Sequence, residues 1–329
     1  MPIHFNPIFT SSLLLFLAGC SPASQSSDMS SPVDAGRDLA GYSGPWNDPP
    51  DVASPDGGSW RTALSDCWTD VSCRRAMLVS HGGDWDTKMP YDSRGALARA
   101  VQRGADGIKA DLRVTADNVA VVTHSSPIQI YESFDCVGKY IEKMTAAEVT
   151  ACHMIGTPYT FQRVDDLLTW AHGRTVVMLD VKVASDLPRA IETAIANHAE
   201  DDLFLEVHVD DFFNIVVGAP GWERIHYLVW LGSPDDADRV IKANHKQGFM
   251  FEMDPTYPAY DAAAMKVLID TKLHPAGFRA FTSTDTRNAT VENHQMLFDE
   301  DFDVVMTYDL TAGLTVRQKL NTSRGISPP

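Results

Sequence analysis

The apolar positions of this chain fall into short, branched runs separated by longer amphipathic stretches. From Arg75 onward the runs are Ala76–Ser80, Gly107–Leu112, Val119–Thr123, Thr175–Val181, Leu203–Val209, Ile225–Leu231, Gly248–Met253, Gly277–Thr282 and Asp303–Thr307. Runs of this length, rich in Val, Ile and Leu, predict buried strands. The stretches Arg94–Arg103, Val164–His172, Leu187–His198, Asp235–Lys246, Ala262–Lys272 and Val291–Phe298 carry apolar residues at helical spacing. Strand followed by helix, repeated along the chain, predicts an α/β domain whose parallel sheet is covered by helices. If Gly107–Leu112 and Val119–Thr123 pair as a hairpin through the turn Thr115–Asn118, eight strand units remain. Eight is the count of a closed (β/α)8 TIM barrel. The alternative, an open doubly wound sheet, lacks a GxGxxG after any strand.

A barrel carries its chemistry at the C-terminal ends of its strands. Those ends read His81, then Lys109 and Asp111, His124, Asp180 and Lys182, Glu206 and His208, Trp230, Glu252 and Asp254, Thr282, and Thr307 with Asp309. Any one of these has a bland reading as a helix cap, a hydrogen-bonded ring or a solvated charge. Two histidines, two lysines and several acids converging on one mouth do not make a core. Lys109 and Asp111, two residues apart, share one strand face.

The N-terminal part of the chain differs from the rest. Ser11–Cys20, SSLLLFLAGC, is an apolar run too short to span a bilayer and fits the core of a signal peptide. Its closing Leu-Ala-Gly-Cys looks like a bacterial lipobox, which makes Cys20 the expected lipidation site, although Met1–Asn6 carries no Lys or Arg. Ser21–Gly58 is rich in Ser, Pro, Asp and Gly and cannot bury enough surface to offset its chain entropy. The expected organisation is therefore a lipoprotein signal peptide at 1–20, a disordered tether at 21–58 and a barrel domain at 59–329. Ser21 beside the lipidated cysteine resembles the pattern of outer-membrane retention. The expected location is the bacterial cell envelope, anchored to the outer membrane by lipid.

Export permits disulfides, and Cys67, Cys73, Cys136 and Cys152 allow three pairings. Nearest-neighbour pairing would staple the domain entrance and the loop after His124. The formal net charge of −17 argues against nucleic acid as a partner and is compatible with a divalent cation. An anionic substrate needs a local cationic pocket.

Read in order, these residues resemble the glycerophosphodiester phosphodiesterase family, within the phospholipase-C-like barrels. The family's opening His-Arg-Gly stands here as His81-Gly82-Gly83, its Gly-Ala-Asp as Gly104-Ala105-Asp106, and its Glu-x-Asp as Lys109-Ala110-Asp111. The Thr-x-Asp-Gly turn is Thr115–Asn118, Val-Val-x-His-Asp is Val121–Ser125, and Asn-Ile-Glu-Ile-Lys is Met178–Lys182. Its Trp-Thr resembles Phe281-Thr282, and its closing Thr-Asp resembles Thr307–Asp309. The resemblance spans about Ala76–Leu320. It departs at Gly82 for Arg, near Tyr91 for Glu, at Ser125 for Asp, and at Lys109 for the first metal-binding Glu.

The resemblance implies phosphoric diester hydrolysis of glycerophosphodiesters or phospholipid-type head groups, with His81 and His124 as acid and base and Lys182 on the substrate. Asp111 and Asp180 keep the remaining metal positions. Replacing the third carboxylate by Lys109 swings the local charge by two units, so Ca²⁺ or Mg²⁺ would be held weakly, or not at all if Lys109 takes over the metal's electrostatic role. Bacterial phosphatidylinositol-specific phospholipases C resemble that solution, with an arginine in place of calcium. The expected partners are a small phosphodiester or lipid head group and, through the anchor, a membrane. Two competing readings are a catalytically inactive lipoprotein of the same fold that binds phosphate or head groups, and a glycosidase using Glu206 and Glu252. Lys88 or Arg94 could replace the missing arginine, and Trp85, Trp230 and Tyr257 could line a wall.

Overall fold

The computed structural model describes residues 67–243, 249–252, 261–284 and 288–326. The expected signal peptide, the tether and Cys20 lie outside the described residues, as does Tyr257; Glu252 lies in a strand whose side chains are likewise outside them. Ten strands form one sheet: β1 (Met77–His81), β2 (Gly107–Val114), β3 (Ala120–Val122), β4 (Gln162–Arg163), β5 (Val176–Val181), β6 (Leu203–His208), β7 (His226–Trp230), β8 (Phe249–Glu252), β9 (Arg279–Ser283) and β10 (Val304–Thr307). Parallel pairing runs from β2 through β5, β6, β7, β8 and β9 to β10, and β1 pairs with both β10 and β2. The ring is closed by eight parallel strands. The hairpin read from the sequence is present: β3 runs antiparallel to the far end of β2, and β4 adds to it.

Alternation along the strands sorts the core into two parts. Met77, Val79, Val176, Met178, Phe204, Leu228, Phe281, Val304 and Met306 cluster together from strands all around the ring and fill its interior. Their neighbours Leu78, Ile108, Val177, Leu179, Leu205, Val229, Ala280 and Val305 pack in the larger cluster against the helices. Trp68 joins the interior cluster, and a Cβ at Gly107 would lie 3.0 Å from its ring, so glycine makes room for it. The Cys67–Cys73 disulfide ties the segment carrying Trp68.

The interior is apolar only at one end. Three inward rows continue by steps of two into polar groups at the strand C-termini: Met77 and Val79 lead to His81, Val176 and Met178 to Asp180, and Phe204 to Glu206. Asp106, from the Gly-Ala-Asp motif, is structural instead. Its carboxylate accepts from the Leu78 amide at 2.9 Å and from Arg317 and Arg75, tying β1 to the last helix. Asp117 likewise closes the hairpin turn through Thr115 and the Ala146 amide.

The helices fall close to the predicted stretches, at Arg94–Gln102, Val164–Ala171, Leu187–Ala196, Pro234–Ala243, Ala262–Leu268 and Val291–Asp299. A final helix, Leu310–Ser323, was not among them because three threonines dilute its apolar repeat; Asp309 caps it by accepting from the Ala312 amide. No described helix is long and apolar enough to cross a membrane.

Candidate active site

Strand register sets the charged residues side by side. Asp111 on β2 is level with Asp180 on β5, which is level with Glu206 on β6; His81 on β1 is level with Lys109 on β2. The Lys109 Nζ donates to Asp111 and lies 2.9 Å from Asp180. The Lys182 Nζ lies 2.9 Å from Asp111 and 2.5 Å from Asp180. Two ammoniums thus share two carboxylates in a closed square. Burial alone would lower the Lys109 pKa, but Asp111, Tyr91 and Asp180 reverse it and hold it well above the ordinary lysine range. Burial would raise the Asp111 pKa, and Lys109 and Lys182 drive it well below the usual carboxylate range instead.

The surrounding acids behave oppositely. Burial, with Asp180 nearby, pushes Glu206 up to about 8, and its Oε2 has no hydrogen-bond partner among the described residues. Burial, with Asp111 nearby, raises Asp92 well above its ordinary range; this carboxylate also accepts from the Asp111 amide at 3.2 Å.

Tyr91 stands at the centre of the site. Its hydroxyl donates to Asp111 Oδ2 at 2.8 Å and accepts from Lys109 at 3.3 Å. Its ring lies 5.1 Å from that of His81 and 6.2 Å from that of His124. Burial, followed by Asp92, raises its pKa well above 10, so the phenol keeps its proton. Gly82 has φ +64°, and a Cβ there would lie 2.0 Å from the Tyr91 ring. The departures at positions 82 and 91 are therefore one exchange: a side chain at 82 cannot coexist with this tyrosine in place.

The two histidines differ in their surroundings. His81 stacks on Tyr308 at 3.9 Å, its Nε2 pairs with the Tyr308 hydroxyl at 2.9 Å, and its Nδ1 is buried without a partner among the described residues. Burial and then Lys109 hold its pKa well below the usual histidine range. His124 lies just beyond β3 rather than at a strand end, because the strand stops at Val122. Its Nδ1 faces the Ser125 hydroxyl at 3.1 Å and the Tyr131 hydroxyl at 3.2 Å, and burial lowers its pKa. Glu132 builds this loop: its carboxylate accepts from the backbone amides of His124, Ser125 and Gln129 at 3.0–3.2 Å. The Cys136–Cys152 disulfide closes the segment behind it, so both bridges join nearest neighbours.

All six residues singled out from sequence, His81, Lys109, Asp111, His124, Asp180 and Lys182, meet at this mouth. Neither suggested replacement for the arginine joins them: Lys88 is exposed and the Arg94 guanidinium lies 5.9 Å over the Tyr159 ring. Trp85 lies at the rim, 6.1 Å from Tyr91, and the Trp230 ring lies tilted against that of His208 at 4.1 Å. The sequence did not reveal that Tyr91, Tyr131, Tyr308, Asp92 and Glu132 belong to the site, since nothing in a single chain aims a loop side chain.

Ca²⁺ or Mg²⁺ requires six or more oxygen ligands. The two remaining carboxylates each already hold two ammoniums, and no group of three or more His, Cys, Asp or Glu among the described residues is arranged to hold a metal. This donor set does not fit a divalent cation.

Residues 87–214 match the model of the glycerophosphoryl diester phosphodiesterase family. No curated protein matches the chain in sequence. Among solved structures, a glycerophosphoryl diester phosphodiesterase from Parabacteroides distasonis is 17% identical with a TM-score of 0.66, covering 79% of this chain and 92% of its own. A glycerophosphodiester phosphodiesterase from Agrobacterium tumefaciens is 19% identical with a TM-score of 0.57, covering 73% and 100%. A phosphodiesterase from Oleispira antarctica, solved with the product sn-glycerol-3-phosphate, is 13% identical with a TM-score of 0.56, covering 76% and 97%. At these identities the solved structures establish the fold.

Proposed function

We propose that the chain, whose residues 87–214 match the model of the glycerophosphoryl diester phosphodiesterase family, is a member of that family and a phosphoric diester hydrolase working by two-histidine acid–base catalysis without a resident divalent metal. The observation that carries the reading is the convergence at the barrel mouth of two imidazoles and one ammonium on Tyr91, with the second ammonium, Lys182, on the Asp111 that Tyr91 also bonds. One imidazole takes the proton of the attacking oxygen as the new P–O bond forms. The other gives a proton to the leaving oxygen as its P–O bond breaks. His81, whose pKa is depressed further, is suited to accept, and His124 to donate. Ser125 and Tyr131 hold the His124 Nδ1, which assigns the proton transfer to its Nε2.

The charge of the transition state falls to Lys109 and Lys182. A divalent ion and a carboxylate together carry one positive charge, as does a single lysine. Lys109 can therefore stand in for that pair with no change in the net charge of the site. Tyr91 bridges Lys109 to Asp111 and fixes the direction of the ammonium. The lipoprotein reading from Cys20 and the tether belongs to the same proposal: an enzyme displayed at the cell envelope.

Phosphorus NMR of the purified chain with glycerophosphodiesters and phosphoinositides, with and without EDTA, tests turnover, product and metal need together. Cleavage that persists in EDTA and disappears in His81→Ala and His124→Ala is the expected result. No turnover of any diester, with binding unchanged by His81→Ala, would favour a head-group-binding module instead.

A further inference from the structure

Five of the eleven large apolar residues that stand exposed among the described residues fall within residues 130–140. Ile130 and Phe134 are each 62% exposed, and Tyr131, Val137 and Tyr140 are 43–54% exposed. They belong to a built loop. The Ile128 amide donates to the Lys139 carbonyl and the Gly138 amide to the Ile128 carbonyl, both at 2.8 Å, which pinches the loop at its neck. Glu132 holds it from within, and the Cys136–Cys152 disulfide pins it from behind. Ile128 and Cys136 turn inward and are buried. The structure thus holds the other apolar side chains out in water, which is costly unless something covers them.

We propose that this loop is an interfacial surface that inserts into a phospholipid layer, and that the substrate is a membrane phospholipid rather than a free glycerophosphodiester. The argument is continuity with the site. The Tyr131 hydroxyl pairs with Ser125 at 2.9 Å and faces His124, so the apolar face begins at the imidazole. Trp85, 42% exposed, lies 6.1 Å from Tyr91, and Val183, next to Lys182, is 40% exposed. A ligand that carries a phosphodiester directly joined to an apolar body matches a phosphate site rimmed this way. Aromatic and aliphatic residues in a projecting loop suit the interfacial zone of a bilayer. Attraction to anionic lipid is not the driving force, because the chain carries a net −17 and the segment has Glu132, Asp135 and Glu142 against Lys139 and Lys143. Insertion into a zwitterionic layer is.

The surface rests on the hydrolase reading only for what the site cleaves, and the experiment separates the two. The full chain carrying Cys20→Ser in every arm, so that no acyl group contributes, is sedimented with phosphatidylcholine vesicles. It is compared with Ile130→Asp plus Phe134→Asp, and with Phe134→Ser as the milder variant if the pair misfolds. Phosphorus NMR follows cleavage of soluble glycerophosphocholine and of vesicle phosphatidylcholine. The expected result is sedimentation of the parent and partitioning reduced by roughly tenfold or more in the variants. Soluble turnover should be unchanged and vesicle turnover reduced in parallel. Vesicle binding without cleavage of either diester would leave the surface standing and remove the hydrolase. Soluble cleavage without vesicle binding, or equal binding by the variants, would overturn the surface. Self-association of the parent that these substitutions abolish would also overturn it, assigning the loop to a second copy.

Discussion

Gly82 and Tyr91 should behave as one unit, and a double-mutant cycle measures it. Gly82 occupies left-handed backbone at φ +64°, and its missing Cβ would fall 2.0 Å from the Tyr91 ring. Gly82→Ala should cost about 1–2 kcal/mol for the backbone conformation alone, and about 1–3 kcal/mol more for forced overlap with the ring. Tyr91→Ala removes the phenol that bridges Lys109 and Asp111 and the ring that packs on both histidines. Its cost should be about 3–5 kcal/mol. In the double variant the backbone cost remains but the overlap has vanished. Together the two changes should therefore destabilise by about 1–3 kcal/mol less than the two measured singly. Urea denaturation of the four proteins, compared at constant m-value, reads this directly. Additivity to within about 0.5 kcal/mol would show that Tyr91 does not occupy the space beside Gly82.

Three further outcomes follow from the same arrangement. Lys109→Glu rebuilds a third carboxylate beside Asp111 and Asp180 and should bind Ca²⁺ measurably by titration calorimetry, while the parent shows none; equal binding by both would remove Lys109 from the electrostatic role given to it. Because burial depresses both histidines, kcat/KM should peak on the acid side of pH 6.5 and fall as pH rises through the pKa of the donating imidazole; a profile still rising at pH 8 would contradict the assignment. Glu206, raised to about 8, contributes its full stability below its unfolded pKa near 4.5 and loses it as pH rises through 8. Glu206→Gln should accordingly gain stability relative to the parent between pH 5 and 9, by up to about 5 kcal/mol, and parallel unfolding curves across that range would show that Glu206 titrates normally.

How much of this was legible in the sequence depends on the type of element. His81, Asp180 and Glu206 were readable because each is the next inward step of a strand whose earlier inward residues are apolar, Lys109 and Asp111 because they follow Gly107 at the same spacing, and a period of two needs no tertiary information. Lys182 followed as the residue just beyond such a row. His124 was found as a residue but placed too near its strand, since β3 ends at Val122 and a loop built on Glu132 aims the ring. That carboxylate bonds only backbone amides, which have no sequence signature. Tyr91 and Tyr308 reach the site from loops after β1 and β10, where no periodicity fixes direction. Tyr91 was visible only as a departure, and Gly82 as a second, unrelated one. Their link is a steric fact that appears when the two are brought together.

The same reasoning explains why one substitution could change the site without dismantling it. Asp111, Asp180 and Glu206 are level on adjacent strands, so this side of the mouth sets three acids in one row. Left with one lysine, such a row would be strongly anionic and would repel a phosphodiester. Two devices prevent this. Burial keeps Glu206 protonated up to about pH 8, and Lys109 joins Lys182 to neutralise the other two carboxylates. Each ammonium is bound by both aspartates, so the positive charge is fixed in direction before the substrate arrives, as preorganised catalysis requires. The phenol of Tyr91 then links Lys109 to Asp111 without adding a charge. A tyrosine can do this because its hydroxyl both donates to Asp111 and accepts from Lys109, and because its raised pKa keeps it neutral. A glutamate at that position would add the charge that Lys109 was brought in to cancel. The exchange at Gly82 and Tyr91 is thus the steric companion of the exchange at Lys109, and reverting one without the other should leave either an overlap or an uncompensated charge.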